Sequence, residues 1–146
     1  MRNLSNDGFT IIEIILVIGI ITIMTAVAAP FYLSLSNSNE LDAATNLLAQ
    51  DLYQAQTYSR NQAQDAQWGV SVNGQVITLF SGSSYAARNP ANDVVYTVPK
   101  AVKLSGSSQV VYSKLYGLPQ ATGSFSLVGG GKTSNVVVNN KGMVEY

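Results

Sequence analysis

Cysteine and histidine are both absent from this 146-residue chain. Without them there is no Ser-His-Asp triad, no cysteine nucleophile and no thiolate or imidazole set for zinc or copper. An enzyme is therefore not expected, and neither is a cofactor. The lack of cysteine also removes disulfides, on which small exported domains often rely, so stability has to come from packing, from a long helix and from neighbours in an assembly. Charge is scarce as well: eight basic and eight acidic residues make up 11% of the chain and cancel. Nothing in that balance marks the whole chain as a binder of polyanions. Acids nearly vanish from the last third, where Glu145 stands alone, so an oxygen-rich calcium loop is not expected there.

What the chain does have is one long apolar run, GFTIIEIILVIGIITIMTAVAAP, from Gly8 to Pro30. The stretch Phe9 to Ala29 would extend roughly 32 Å as an α-helix, against a hydrocarbon core of about 30 Å. Its only charge is Glu13. A carboxylate in a membrane span costs about 2.5–3.5 kcal/mol at the bilayer centre and less near an end, so its presence points to a partner. A cation is available if the short polar segment Met1 to Asp7 is removed by a cut after the small residue Gly8. The freed α-amino group of Phe9, positive below a pKa of about 8, would lie one helical turn from Glu13 of its own chain or beside that of a neighbour. The competing reading is a signal peptide or signal anchor. Against it, the single leader base, Arg2, is remote from the apolar core, and the run is longer than a secretory signal requires, although Ala26 to Ala29 imitates a cleavage site. Charge bias is weak but places the N-terminus on the cytoplasmic side.

Gly8, Phe9, Thr10 and Glu13, followed by an aliphatic run ending at Pro30, resemble the N-terminal signature of type IV prepilins and pseudopilins. Ile11 replaces the usual leucine, and Asn6 and Asp7 stand beside the cut where lysines are usual. The resemblance implies cleavage after Gly8 by a prepilin peptidase, N-methylation of Phe9, insertion in the bacterial inner membrane and assembly into a helical filament on an inner-membrane platform. Glu13 would there pair with the methylated amine of an adjacent subunit's Phe9. The partners implied are other pilin or pseudopilin subunits, the peptidase, the platform and membrane lipid. The implied fold is α+β and type IV pilin-like: a long N-terminal helix, half transmembrane and half amphipathic, packed on a small antiparallel β-sheet domain.

Boundaries follow from the pattern. Residues 1–8 form the leader, 9–30 the transmembrane and filament-core helix, 31–66 an amphipathic continuation and 67–146 the β-rich part. Pro30 lacks an N–H and is expected to act as a hinge. Gly19 is either a second weak point or a place for close helix packing. Leu41, Ala44, Leu48, Leu52, Ala55 and Ser59 recur at spacings of three and four, which predicts a one-sided helix to about Gln64 with Glu40, Asp42, Asp51, Gln54 and Arg60 on other faces. Leu33 to Asn39 are poor helix formers, so the helix is expected to fray or bend around Ser34 to Ser38, with Asn39 a candidate cap for a restart.

Beyond Ala66 short β-type runs alternate with turn residues, and six to eight strands are expected. Trp68–Val72 and Gln75–Phe80 flank Asn73-Gly74, a strong hairpin signal. Ser81 to Asp93 reads as a polar loop, followed by strands at Val94–Val98, Ala101–Leu104, Gln109–Tyr116 and Ser124–Val128. Gly129 to Lys132 reads as a flexible loop, and a last hairpin joins Asn135–Val138 to Met143–Tyr146. Leu48, Leu52 and Ala55, Val110-Val111-Tyr112 with Gly117, Ser124 to Leu127, and Val136 to Asn139 with Gly142 resemble the H-type minor pseudopilins of type II secretion and the FimT-type minor pilins.

Two stronger readings fail on spacing and composition. Gly129 to Thr133 imitates a phosphate loop, but no glycine stands five residues before Gly131 and no helix follows. Lys100, Lys103, Lys114, Lys132 and Lys141 with Tyr112 and Tyr116 would suit DNA, but the tail Lys141 to Tyr146 lacks the arginine of DNA-binding pilins, and nucleic acid is not the expected partner. The expected function is a structural subunit, a minor pseudopilin or minor pilin. A major shaft subunit and a DNA-binding pilin are the alternatives.

Overall fold

The computed structural model describes residues 8–146, apart from the side chains of residues 27–31 and 33. The leader residues Met1 to Asp7 lie outside that range. The chain divides into two compact units, one ending at Leu35 and the other running from Ser36 to Tyr146.

A single α-helix, α1, is assigned from Ile11 to Arg60. The expected fraying at Ser34–Ser38 is not found, because the helical assignment continues through these residues and Asn39. The helix stops at Arg60 rather than near Gln64. Gln62, Gln64 and Asp65 all take positive φ, near 50–57°, which no α-helix continues through. That reversal returns the chain to the helix, where the Ser59 hydroxyl accepts from the Trp68 backbone N–H at 2.8 Å and reaches the Tyr112 carbonyl at 3.2 Å.

Eight strands follow: β1 (Trp68–Asn73), β2 (Val76–Ser81), β3 (Val94–Thr97), β4 (Lys103–Gly106), β5 (Gln109–Tyr112), β6 (Gly123–Gly129), β7 (Lys132–Val138) and β8 (Val144–Glu145). They form two antiparallel four-stranded sheets, ordered β3-β2-β1-β5 and β4-β6-β7-β8, where the sequence suggested one. Leu41, Leu48, Leu52 and Ala55 of α1 share one core with Val70, Ile77 and Leu79 of the first sheet and Phe125, Leu127, Val136 and Val138 of the second. Each fully buried leucine or isoleucine there contributes about 1.5–3 kcal/mol.

Two turns differ from expectation. Asn73 pairs with Val76, so the first hairpin turns at Gly74-Gln75, one residue later than the Asn-Gly signal implied, with Gly74 at φ 60°. Positive φ at the first central residue is the geometry that fits the strand twist, and glycine adopts it without strain. Gly129 pairs with Lys132, so the stretch read as a flexible loop is a two-residue hairpin turn. Gly130 lies against the backbone of Ser38, where a Cβ would come within 2.9 Å of the serine nitrogen. The β6–β7 turn therefore buttresses α1 at the place where the sequence suggested fraying.

The loop Ser81–Asp93 is pinned rather than free. Tyr85 packs edge-on against buried Phe80 at 5.7 Å, Arg88 sits 3.9 Å above the Tyr85 ring, and its Nε donates to Asp93 at 2.7 Å. The run expected to extend to Tyr116 as a strand ends at Tyr112, because residues 113–117 turn, closed by the Gly117 N–H donating to the Ser113 carbonyl at 3.0 Å.

Candidate functional site

Thr10 starts the helix. Its side-chain oxygen accepts from the Glu13 N–H at 3.3 Å, and its carbonyl accepts from the Ile14 N–H at 3.2 Å. This is N-capping, in which a threonine oxygen satisfies one of the orphan donors of the first turn. The pattern Thr-x-x-Glu was readable as a capping signal, and the sequence reading passed over it. Glu13, the one acid in that turn, also lies where the helix dipole favours negative charge.

Phe9, Glu13, Ile14, Val17 and Ile18 line one face of this end of the helix, along a shallow groove of about 260 Å³. Phe9 is 81% exposed, and Glu13 is exposed and forms no ion pair among the described residues. Gly8 precedes them, outside the helix. A side chain at Gly19 would meet open space, so that glycine leaves a notch on the helix surface. The backbone at Pro30 is helical, and its side chain is not among those described.

From Ile11 to Met24 every large apolar side chain is about half exposed or more. Thr22 in this stretch and Thr25 just after it each donate to the carbonyl four residues earlier at 2.7 Å. Their polar atoms are thus satisfied within the helix, as an apolar surrounding demands. Among the described residues no helix is long and apolar enough to cross a membrane. The described side chains of the apolar run end at Ala26, short of the roughly 20 residues that a span needs.

Of the predicted site residues, the structure brings Phe9 and Glu13 to one face. It leaves Gly19 and Pro30 farther along the helix. No group of three or more acidic, cysteine or histidine side chains comes together among the described residues to hold a metal ion. Tyr112, named in the nucleic-acid reading, is fully buried in the core. Lys114 donates to Asp65 at 2.7 Å, and that ion pair holds the Asp65 carboxyl below its ordinary range.

The second unit also holds a titratable group that the sequence reading placed on another face. Asp51 is 2% exposed, its Oδ2 has no hydrogen-bond partner, and burial pushes its pKa up to about 6. It follows Leu48 by three residues, so it borders the apolar stripe, and two sheets cover a wider arc of α1 than the stripe alone. No family model matches the chain, and no curated protein or solved structure matches it either.

Proposed function

We propose that this chain is a structural subunit of a type IV filament, of the minor pseudopilin or minor pilin kind, for protein secretion or pilus biogenesis. The observation that carries the reading is an uncovered helical segment, apolar on every face and closed at its start by Thr10 and Glu13, leading into a unit with a complete core of its own. Apolar side chains worth about 1.5–3 kcal/mol each when buried do not stay in water if lipid or other helices are within reach. In the membrane the segment is stored in lipid. In the filament the same surface packs on the helices of other subunits, where van der Waals contact and satisfied polar groups replace lipid contact.

In this reading a peptidase cuts after Gly8 and Phe9 carries the freed, methylated amine. Glu13, with no ion pair among the described residues, is the acid that receives the amine of an adjacent subunit. Pairing in an apolar surrounding is favourable only in one register, so the pair selects the stagger between helices as well as adding attraction. The leader, the cut and the methylation rest on the sequence signature. The nucleic-acid alternative loses support from the burial of Tyr112 and the pairing of Lys114.

Two measurements test the reading. Intact mass and N-terminal sequencing of the membrane-expressed chain should give a form beginning at methylated Phe9 only when the prepilin peptidase is present. Retention of Met1, or a cut after Ala28 or Ala29, would sink it. Glu13→Ala should insert and fold normally while its recovery in sheared filaments falls at least tenfold; unchanged recovery would remove the pairing role.

A further inference from the structure

The unit from Ser36 to Tyr146 carries two apolar faces that nothing in its own fold covers. One is a projecting edge. The turn at residues 113–118 is held against the end of α1, with the Leu115 N–H donating to the Ser59 carbonyl at 3.2 Å, Arg60 Nε to the Tyr116 carbonyl at 3.3 Å and Gln56 Nε2 to the Gly117 carbonyl at 2.9 Å. Leu115 is held at φ 69°, a left-handed conformation that costs an L-residue about 1–2 kcal/mol, and it is 59% exposed. Tyr116 beside it is 72% exposed. The strain turns two large apolar side chains outward, which a fold optimised only for its own stability would avoid. Met143 and Tyr53 extend the face. Gly142 lies so near Gly117 that a Cβ there would come within 3.0 Å of the Gly117 carbonyl oxygen, and the Tyr53 hydroxyl donates to the Val144 carbonyl at 3.0 Å.

The other face is a groove. Glu40, Ala43 and Leu47 of α1 and the segment Tyr96–Pro99 line a hollow of about 230 Å³, more than the roughly 150 Å³ that admits a benzene ring. Beside it runs β3, an edge strand with all four residues exposed and no charge or proline within it. Unguarded edges of this kind are surfaces that proteins usually blunt unless something covers them.

A charge of opposite sign borders each face. Arg60 flanks the projecting edge, Glu40 lines the groove, and neither forms an ion pair among the described residues. They are separated along α1 by about 30 Å. We infer that the occupant of the groove is a second copy of this chain, with the Leu115–Tyr116 edge of one copy seated between α1 and β3 of the next and Arg60 paired with Glu40. The contact uses two different faces, so it is heterologous and leaves a free face at each end. With the helices parallel, it displaces copies by about 30 Å, farther than neighbours joined through Glu13 and the Phe9 amine. The inference rests on the filament reading and, within it, favours the shaft-subunit alternative over the minor kind, because a chain carrying both halves of one contact can follow itself.

The test exploits the absence of cysteine. Ala43→Cys and Tyr116→Cys are introduced singly and together in the full-length chain, co-expressed with the peptidase and assembly platform, and membranes and sheared filaments are oxidised. The double variant should give a ladder of dimers, trimers and higher species, and each single variant only monomers. On the double-cysteine background Arg60→Glu should cut the ladder about tenfold, and adding Glu40→Arg should restore it. Dimers from Tyr116→Cys alone would mean a symmetric contact and overturn the inference, as would failure of the charge swap to restore the ladder. Absence of the ladder while the chain still enters filaments in a Glu13-dependent way overturns the contact and leaves the filament reading intact. A ladder that forms without filaments, and regardless of Glu13, supports the contact and removes the filament reading.

Discussion

The residues up to Leu35 and those from Ser36 onward solve opposite problems with the same secondary structure. In the first region α1 carries apolar side chains on every face from Ile11 to Met24, its described side chains are exposed, and its threonine hydroxyls bond back to its own carbonyls. In the second, α1 is one-sided, and its apolar stripe disappears under two sheets. The backbone hydrogen bonding is the same in both. The difference lies in what covers the side chains: in the second region the chain covers itself, and in the first the described side chains are left exposed. A helix by itself therefore says little about function; what separates the two regions is whether the chain's own fold covers the apolar side chains.

The largest effect expected from breaking this comparison is in the core. Leu52→Ala should cost about 2–5 kcal/mol of unfolding free energy, because the site is fully buried between α1 and both sheets. Ile15→Ala, on the bare helix, should change the same transition by less than about 0.5 kcal/mol while weakening membrane retention. Urea titration of the full chain in mild detergent, with membrane fractionation alongside, compares them; equal effects on unfolding would mean that the two regions are not energetically separate.

Asp51 sharpens the comparison from inside the covered region. Its folded pKa of about 6 lies above the ordinary 3.8, so the unfolded chain gives up its proton first as pH rises. Stability contributed at this site falls between about pH 4 and pH 6, and the whole penalty is present above that window. Asp51→Asn should match the parent near pH 3.5 and exceed it by about 2 kcal/mol near pH 7.5. Thermal melts across that range check the difference; an unchanged pH slope would show that the carboxylate is solvated.

The smallest effect is at the turn. Leu115→Gly should relieve the left-handed strain and raise stability by about 1 kcal/mol or less, while lowering cross-linking between copies. A loss of stability instead would mean that the leucine serves its own fold rather than a neighbour.

Much of the covered helix was legible beforehand. Leu41, Ala44, Leu48, Leu52, Ala55 and Ser59 were identified by spacing alone and are all buried, because a 3.6-residue period leaves a visible trace. Strand positions were legible to within a few residues for the same kind of reason. Asp51 was not, since its burial depends on how far two sheets wrap around the helix. The one-residue shift at Gly74 was equally hidden: it is set by which cross-strand pairs fill the core, and Asn73-Gly74 suits either register locally. At the candidate site, Phe9 and Glu13 were legible as an apolar residue and a lone acid at the start of a run, whereas the Thr10 cap was missed although the Thr-x-x-Glu pattern carries it.

By itself, the sequence determined the apolar run, its single acid, the absence of cysteine and histidine, and the alternation that makes strands, because these are properties of residue type and local period. Only the tertiary structure decided that the strands divide into two sheets, that a carboxylate is buried without a partner, and that Leu115 and Tyr116 face outward near one end of the packed helix while a groove opens near the other. Those outcomes depend on which surfaces distant segments bury against one another, and no local pattern carries that information.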